Sequence, residues 1–199
     1  MPSRRAGGAW GIAFVVLLLG SAAMVSLPTG AETGEKIASF YKTNGSVIVA
    51  QQILGMIALA PFVAFAISLN SNRWLKPAIA VFVAFELVTN VVPLVIVATS
   101  GPSAGTAHTL TVAEDLADAA LFASAAAFAV VATVDDPVWI RAVGIVVGLA
   151  CLARAVSGLL EINALDLVAP LALIAFVLLL SIRRLLPAPR RVAASPHDL

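Results

Sequence analysis

Six apolar runs, each long enough to cross a bilayer, dominate this chain of 199 residues: 10–27, 47–69, 78–99, 110–134, 138–160 and 167–182. A hydrocarbon core of about 30 Å takes roughly 20 helical residues. No water is present there to satisfy the backbone, so continuous runs of this length predict helices rather than open strands. Composition agrees, with 61% hydrophobic and 12% charged residues and a mean hydropathy of +1.03, more apolar surface than a water-soluble fold can bury. The expected fold is all-α: one polytopic transmembrane domain of six helices over residues 1–182, then a disordered basic tail over 183–199. Arg4, Arg5 and the small residues 21–23 would also suit a cleaved leader, but the first apolar run is longer than a usual signal core and favours a retained helix.

Alternate threading puts Arg4, Arg5, Arg73, Lys76, Arg141, Arg183, Arg184, Arg190 and Arg191 on one side of the membrane and only Lys36 and Lys42 on the other. The positive-inside rule then predicts both termini in the cytoplasm of a multi-pass membrane protein. Trp10, Trp74 and Trp139 fall at helix ends on that same side, where indoles favour the interface. Residues 28–46 read as the longest outer loop, with an interfacial helix around 35–41. Residues 100–108 read as a flexible turn, and residues 161–166 as a tight connection. No internal repeat stands out.

Ionisable groups inside the runs are few and therefore informative. On helix four, Glu114, Asp115 and Asp118 share one broad face, with Asp118 about 12 Å below the expected outer end of the helix. Arg154 on helix five lies about 9 Å below the same surface. The matched depths predict an ion pair of Arg154 with Asp118 or Asp115. One arginine cannot neutralise three acids, so an excess carboxylate must face water or carry a proton, as proton or cation handling requires. Glu86, about 12 Å in from the cytoplasmic end of helix three, stands one turn from Asn90. Pro93 beyond them leaves the Thr89 carbonyl without its donor, as Pro61 does for Ile57 in helix two. Gln51 and Gln52 lie at a depth similar to that of the helix-four acids. The candidate ligand or ion pocket is thus Glu86, Asn90, Glu114, Asp115, Asp118, Arg154, Gln51 and Gln52, opening outward among helices two to five. The structural alternative is that these groups only lock helices together.

Other chemistries lack their residues. Cys151 is the only cysteine, so an intramolecular disulfide or CxxC pair is excluded and a packing role is expected. His108 falls in an expected loop and His197 in the tail, leaving no helical histidine pair for haem. Phosphate-binding loops, HExxH and nucleophile elbows are missing, and a net charge of +1 gives nucleic acid no footing. No cofactor, metal or catalytic residue is assigned. Gly144 and Gly148 form a GxxxG face suited to close helix packing.

The segment over residues 35–69, with Phe40 and Tyr41, then Asn44, Gln51, Gln52 and Gly55, resembles a group of small uncharacterised bacterial six-helix membrane proteins of the domain-of-unknown-function type. The resemblance implies a bacterial inner-membrane protein and carries over no activity. Taken together, the expected function is a small-solute or proton-linked permease or channel-like protein. Its expected partners are the bilayer and a small polar or cationic solute, with a homo-oligomer or a membrane partner left open. The alternative is a non-catalytic assembly or accessory subunit. An intramembrane lipid enzyme is a poorer fit, because no nucleophile or metal set is present.

Overall fold

A computed structural model describes residues 4–69, 72–99, 102–160 and 165–186. The described residues form six helices, α1 (Arg4–Ala22), α2 (Gly34–Ile67), α3 (Leu75–Ala98), α4 (Ala104–Ala132), α5 (Val138–Leu159) and α6 (Val168–Leu185). Each is long and apolar enough to span a membrane. Each helix packs against its neighbours in sequence and α1 also packs against α6, which closes the ring; α2 and α4 touch across it. The chain thus carries both described termini at one end of the bundle.

All six expected runs become helices, but three start well before expected, α1 at Arg4, α2 at Gly34 and α4 at Ala104, and α1 ends at Ala22, short of the expected residue 27. At about 1.5 Å per residue, α2 is about 51 Å long and α4 about 43 Å, well beyond a hydrocarbon core of about 30 Å. Residues 34–46 are therefore the first turns of α2 rather than a loop. Ile37, Tyr41 and Ile48 form a buried stripe at helical spacing, packed on Ile96 and Ala107. Thr33 caps the helix by accepting a hydrogen bond from the Lys36 N–H at 3.4 Å, and Ser103 caps α4 through Thr106 at 3.2 Å. Such side-chain oxygens satisfy N–H groups that a first helical turn leaves unpaired. His108, expected in a loop, consequently sits within α4.

Small residues set the closest helix approaches. A Cβ at Gly144 would fall 2.7 Å from the Ala129 carbonyl, and one at Gly148 would fall 3.2 Å from that of Ala126. The GxxxG face of α5 is therefore used inside the bundle, against α4. Gly7 and Gly11 play the same part for α1, against Ser68 of the α2 end and against Phe65 and Ser181. Cys151 is fully buried in the core, as a packing residue should be. Pro61 and Pro93 lie inside unbroken helices.

Arginines tie the terminus-bearing end together. Arg183 forms an ion pair with Asp136 in the α4–α5 turn, and Arg184 donates to the Leu69 carbonyl and, at 3.3 Å, to the Ser68 hydroxyl. Arg4 donates to the Arg183 carbonyl at 3.2 Å. Trp10, Trp74 and Trp139 are exposed on the bundle surface. Residues 161–164 of the expected tight connection and residues 187–199 of the expected tail lie outside the described residues.

Candidate functional site

The earlier start of α4 moves its acids inward. Asp118, expected in the outer portion of its helix, lies midway along α4, as Glu86 does along α3 and Gln51 along α2. Three central helices therefore present polar side chains at one level. They meet at a cavity of about 310 Å³ bordered by α1, α2, α3, α4 and α6.

Six of the eight expected residues line this cavity: Gln51, Gln52, Glu86, Asn90, Glu114 and Asp118. Asn90 donates to the Glu86 backbone carbonyl at 2.6 Å and to Glu86 Oε1 at 3.2 Å, so the expected pair is formed within one helical turn. The Thr89 hydroxyl also donates to the Glu86 carbonyl, at 3.0 Å. Gly55 makes room on α2, since a Cβ there would strike Asn90 Oδ1. Gln51 donates through Nε2 to the Val25 carbonyl at 2.9 Å, while its own backbone carbonyl accepts from the Ser21 hydroxyl at 3.0 Å. Glu114 has no hydrogen-bond or ion-pair partner among the described residues.

Asp115 and Arg154 are placed elsewhere. The Asp115 carboxylate accepts the Gly30 N–H at 2.7 Å, and the Gly30 carbonyl meets His108 Nε2 at 3.0 Å. One residue of the α1–α2 connection, Gly30, is thus held against the N-terminal half of α4 through the peptide groups on both of its sides. Arg154 pairs with Asp118 at 3.1 Å and, through Nε, with Asp166 at 2.9 Å. Its guanidinium also lies 5.3 Å from the centroid of the Phe122 ring, a cation–π distance. Of the two acids expected as its partner, Asp118 is the one it contacts.

Asp166 is the residue that sequence reasoning missed. It was read as the edge of a turn, although a carboxylate next to the outer end of α5 was a natural second partner for a guanidinium at that depth. Ser21 was considered only as part of a leader cleavage site. The apolar part of the lining, Phe14, Phe82 and Phe122 with Leu18, Leu173 and Ile174, could not be picked out among so many apolar residues.

Electrostatically the site is lopsided. Asp118 lies within Coulombic range of both Glu86 and Glu114, yet among the described residues the only cation paired at the site, Arg154, is shared between Asp118 and Asp166. Among the described residues no group of three His, Cys, Asp or Glu side chains converges closely enough to hold a metal ion. Toward the terminus-bearing end, Phe62 stacks at 4.5 Å on Phe82, 5.1 Å on Phe14 and 5.2 Å on Phe128. With Phe65 and Phe176, these rings fill that half of the bundle; Phe62, Phe65, Phe128 and Phe176 are each at most 1% exposed. The cavity therefore rests on a packed aromatic floor. The chain matches no known family model, no curated protein and no solved structure.

Proposed function

We propose that this chain is a small permease or channel-like protein of the bacterial inner membrane, with cytoplasmic termini. It takes a small cationic or polar solute into the mid-bundle cavity, and Glu86 and Glu114 serve as the charged stations, including for coupled protons. The observation that carries this reading is that these two carboxylates border one cavity and, among the described residues, neither has a cation paired with it. Like charges in a poorly screened space repel, and a bound cation relieves that repulsion. Passage requires the floor of Phe14, Phe62, Phe82 and Phe128 to repack, so the cavity is one state of an alternating cycle rather than an open pore.

The test is flux in proteoliposomes, read with a pH-sensitive dye and with radiolabelled ammonium-type cations. The wild-type protein should carry flux, and Glu86→Gln and Glu114→Gln should each reduce it about tenfold or more. Unchanged flux in both variants would remove the basis of the proposal. A non-catalytic assembly subunit is the competing reading, and the Arg154 clamp across α4, α5 and Asp166 supports it. A chain with that role would show no flux at all.

A further inference from the structure

The two sides of the cavity differ in chemistry. On α2, α3 and α4 it is polar, lined by the carboxyl groups of Glu86, Glu114 and Asp118 and by the amides of Gln51, Gln52 and Asn90. Gln51 is 8% exposed, and its Oε1 has no donor among the described residues. The hydrogen bond from its Nε2 to the Val25 carbonyl determines the amide orientation, because a flipped amide would set two oxygens against each other. The remaining wall and the floor, from α1, α6 and the turns of α3 and α4 nearer the terminus-bearing end, are mainly apolar, with Phe14, Phe82, Phe122 and Leu173 among them; Ser21 is the polar exception on α1, and its hydroxyl already donates to the Gln51 backbone carbonyl. Arg154 is not in the lining and pairs with Asp118 alone of the three acids, so among the described residues no cation is paired with Glu86 or Glu114.

Taking this cavity as the solute site, we propose that its ligand is an amphiphilic primary or secondary ammonium ion, with an N–H-bearing charged head on an apolar body. The head supplies charge to Glu86 and Glu114 and a donor to the Gln51 oxygen, while the body covers the phenylalanine floor. A cavity of about 310 Å³ holds roughly ten groups of water size, which suits an arylalkyl or short alkyl amine. Each alternative class leaves something unmatched. A bare inorganic cation leaves the apolar floor uncovered and finds no convergent triad of ligands. A quaternary ammonium brings charge without N–H donors, and a neutral alcohol brings a donor without charge. Sites built around hydrogen-bonding groups reject analogues that leave those groups unpaired.

Calorimetric titration of the full chain in nanodiscs tests this with 2-phenylethylammonium as probe. Its N-trimethyl analogue, 2-phenylethanol and the ammonium ion are the comparisons. The probe should bind at least about tenfold more tightly than each of the three, and Glu114→Gln should weaken it by a similar factor. No binding of the probe, or equal binding of any comparison compound, overturns the assignment. These comparisons use the wild-type chain, so a variant that fails to fold leaves the test intact. Amine binding without flux in proteoliposomes would sink the permease reading and leave the ligand class standing. Flux of protons or ammonium without amine binding would do the reverse.

Discussion

Replacing Arg154 with alanine removes one guanidinium from two carboxylates and a ring, and the structure ranks the three losses. The Arg154 side chain is 16% exposed and that of Asp118 is 29%, whereas that of Asp166 is 45%. Hydrogen bonds between membrane helices average about 0.6 kcal/mol in double-mutant cycles and reach about 1.7. A charge-assisted bond is roughly twice as strong as a neutral one, so a coupling of about 1–2 kcal/mol is expected between Arg154 and Asp118. Solvent screening at the half-exposed Asp166 holds its coupling below about 1 kcal/mol. The ring contact with Phe122 adds about 0.5–1 kcal/mol. Arg154→Ala should therefore cost about 3 kcal/mol, at the lower end of what breaking a buried pair costs. The assay is reversible unfolding in mixed micelles followed by the fluorescence of Trp10, Trp74 and Trp139, applied to Arg154→Ala, Asp118→Asn, Asp166→Asn and the two double variants. Asp118→Asn should recover part of the loss in the Arg154→Ala background. The reasoning fails if the Asp118 coupling is near zero or smaller than that of Asp166.

Further outcomes follow from the packing and from the threading. Gly144→Val should destabilise the protein by about 1–3 kcal/mol, because its side chain meets the Ala129 carbonyl and Thr133; Gly105→Ala, where a Cβ meets nothing within 4 Å, should instead raise stability by up to about 0.8 kcal/mol, both read by the same unfolding assay. Asp115→Ala strands the Gly30 N–H and should cost about 1–3 kcal/mol, with faster hydrogen exchange at Gly30 and in the connection around it. In a Cys151→Ser background, Lys36→Cys and Arg73→Cys should react with a membrane-impermeant maleimide from opposite sides of the membrane, and reaction from one side would refute the threading. Cys151 itself should stay unlabelled in the folded wild-type chain.

Some of the site was legible early because charge in an apolar run is rare. Glu86, Asn90, Asp118, Gln51 and Gln52 stood out against their surroundings, and the Glu86–Asn90 pairing followed from their four-residue spacing on one helix. The early start of α2 is legible in part, as the interfacial helix expected around 35–41, but not its continuity with the apolar run. Glu35, Lys36 and Lys42 made residues 34–46 look like a loop, while the stripe of Ile37, Tyr41 and Ile48 beneath them already had helical spacing. Those charges are exposed on α2 while Ile37, Tyr41 and Ile48 are buried, so polarity and helicity coexist there.

Hydropathy alone determined that this chain forms six membrane-length helices, because an unsatisfied backbone is too costly in lipid for other solutions, and it determined which few side chains had to be accounted for. Tertiary packing decided which of them face one another. Asp115 and Asp118 are three residues apart on the same helix, yet one holds a connecting peptide and the other holds Arg154. Helix rotation sets that division, with Gly30 close enough to α4 for its N–H to reach Asp115, and Gly144 and Gly148 letting the backbone of α5 approach that of α4. These depend on contacts between segments far apart in the chain, which local spacing does not encode.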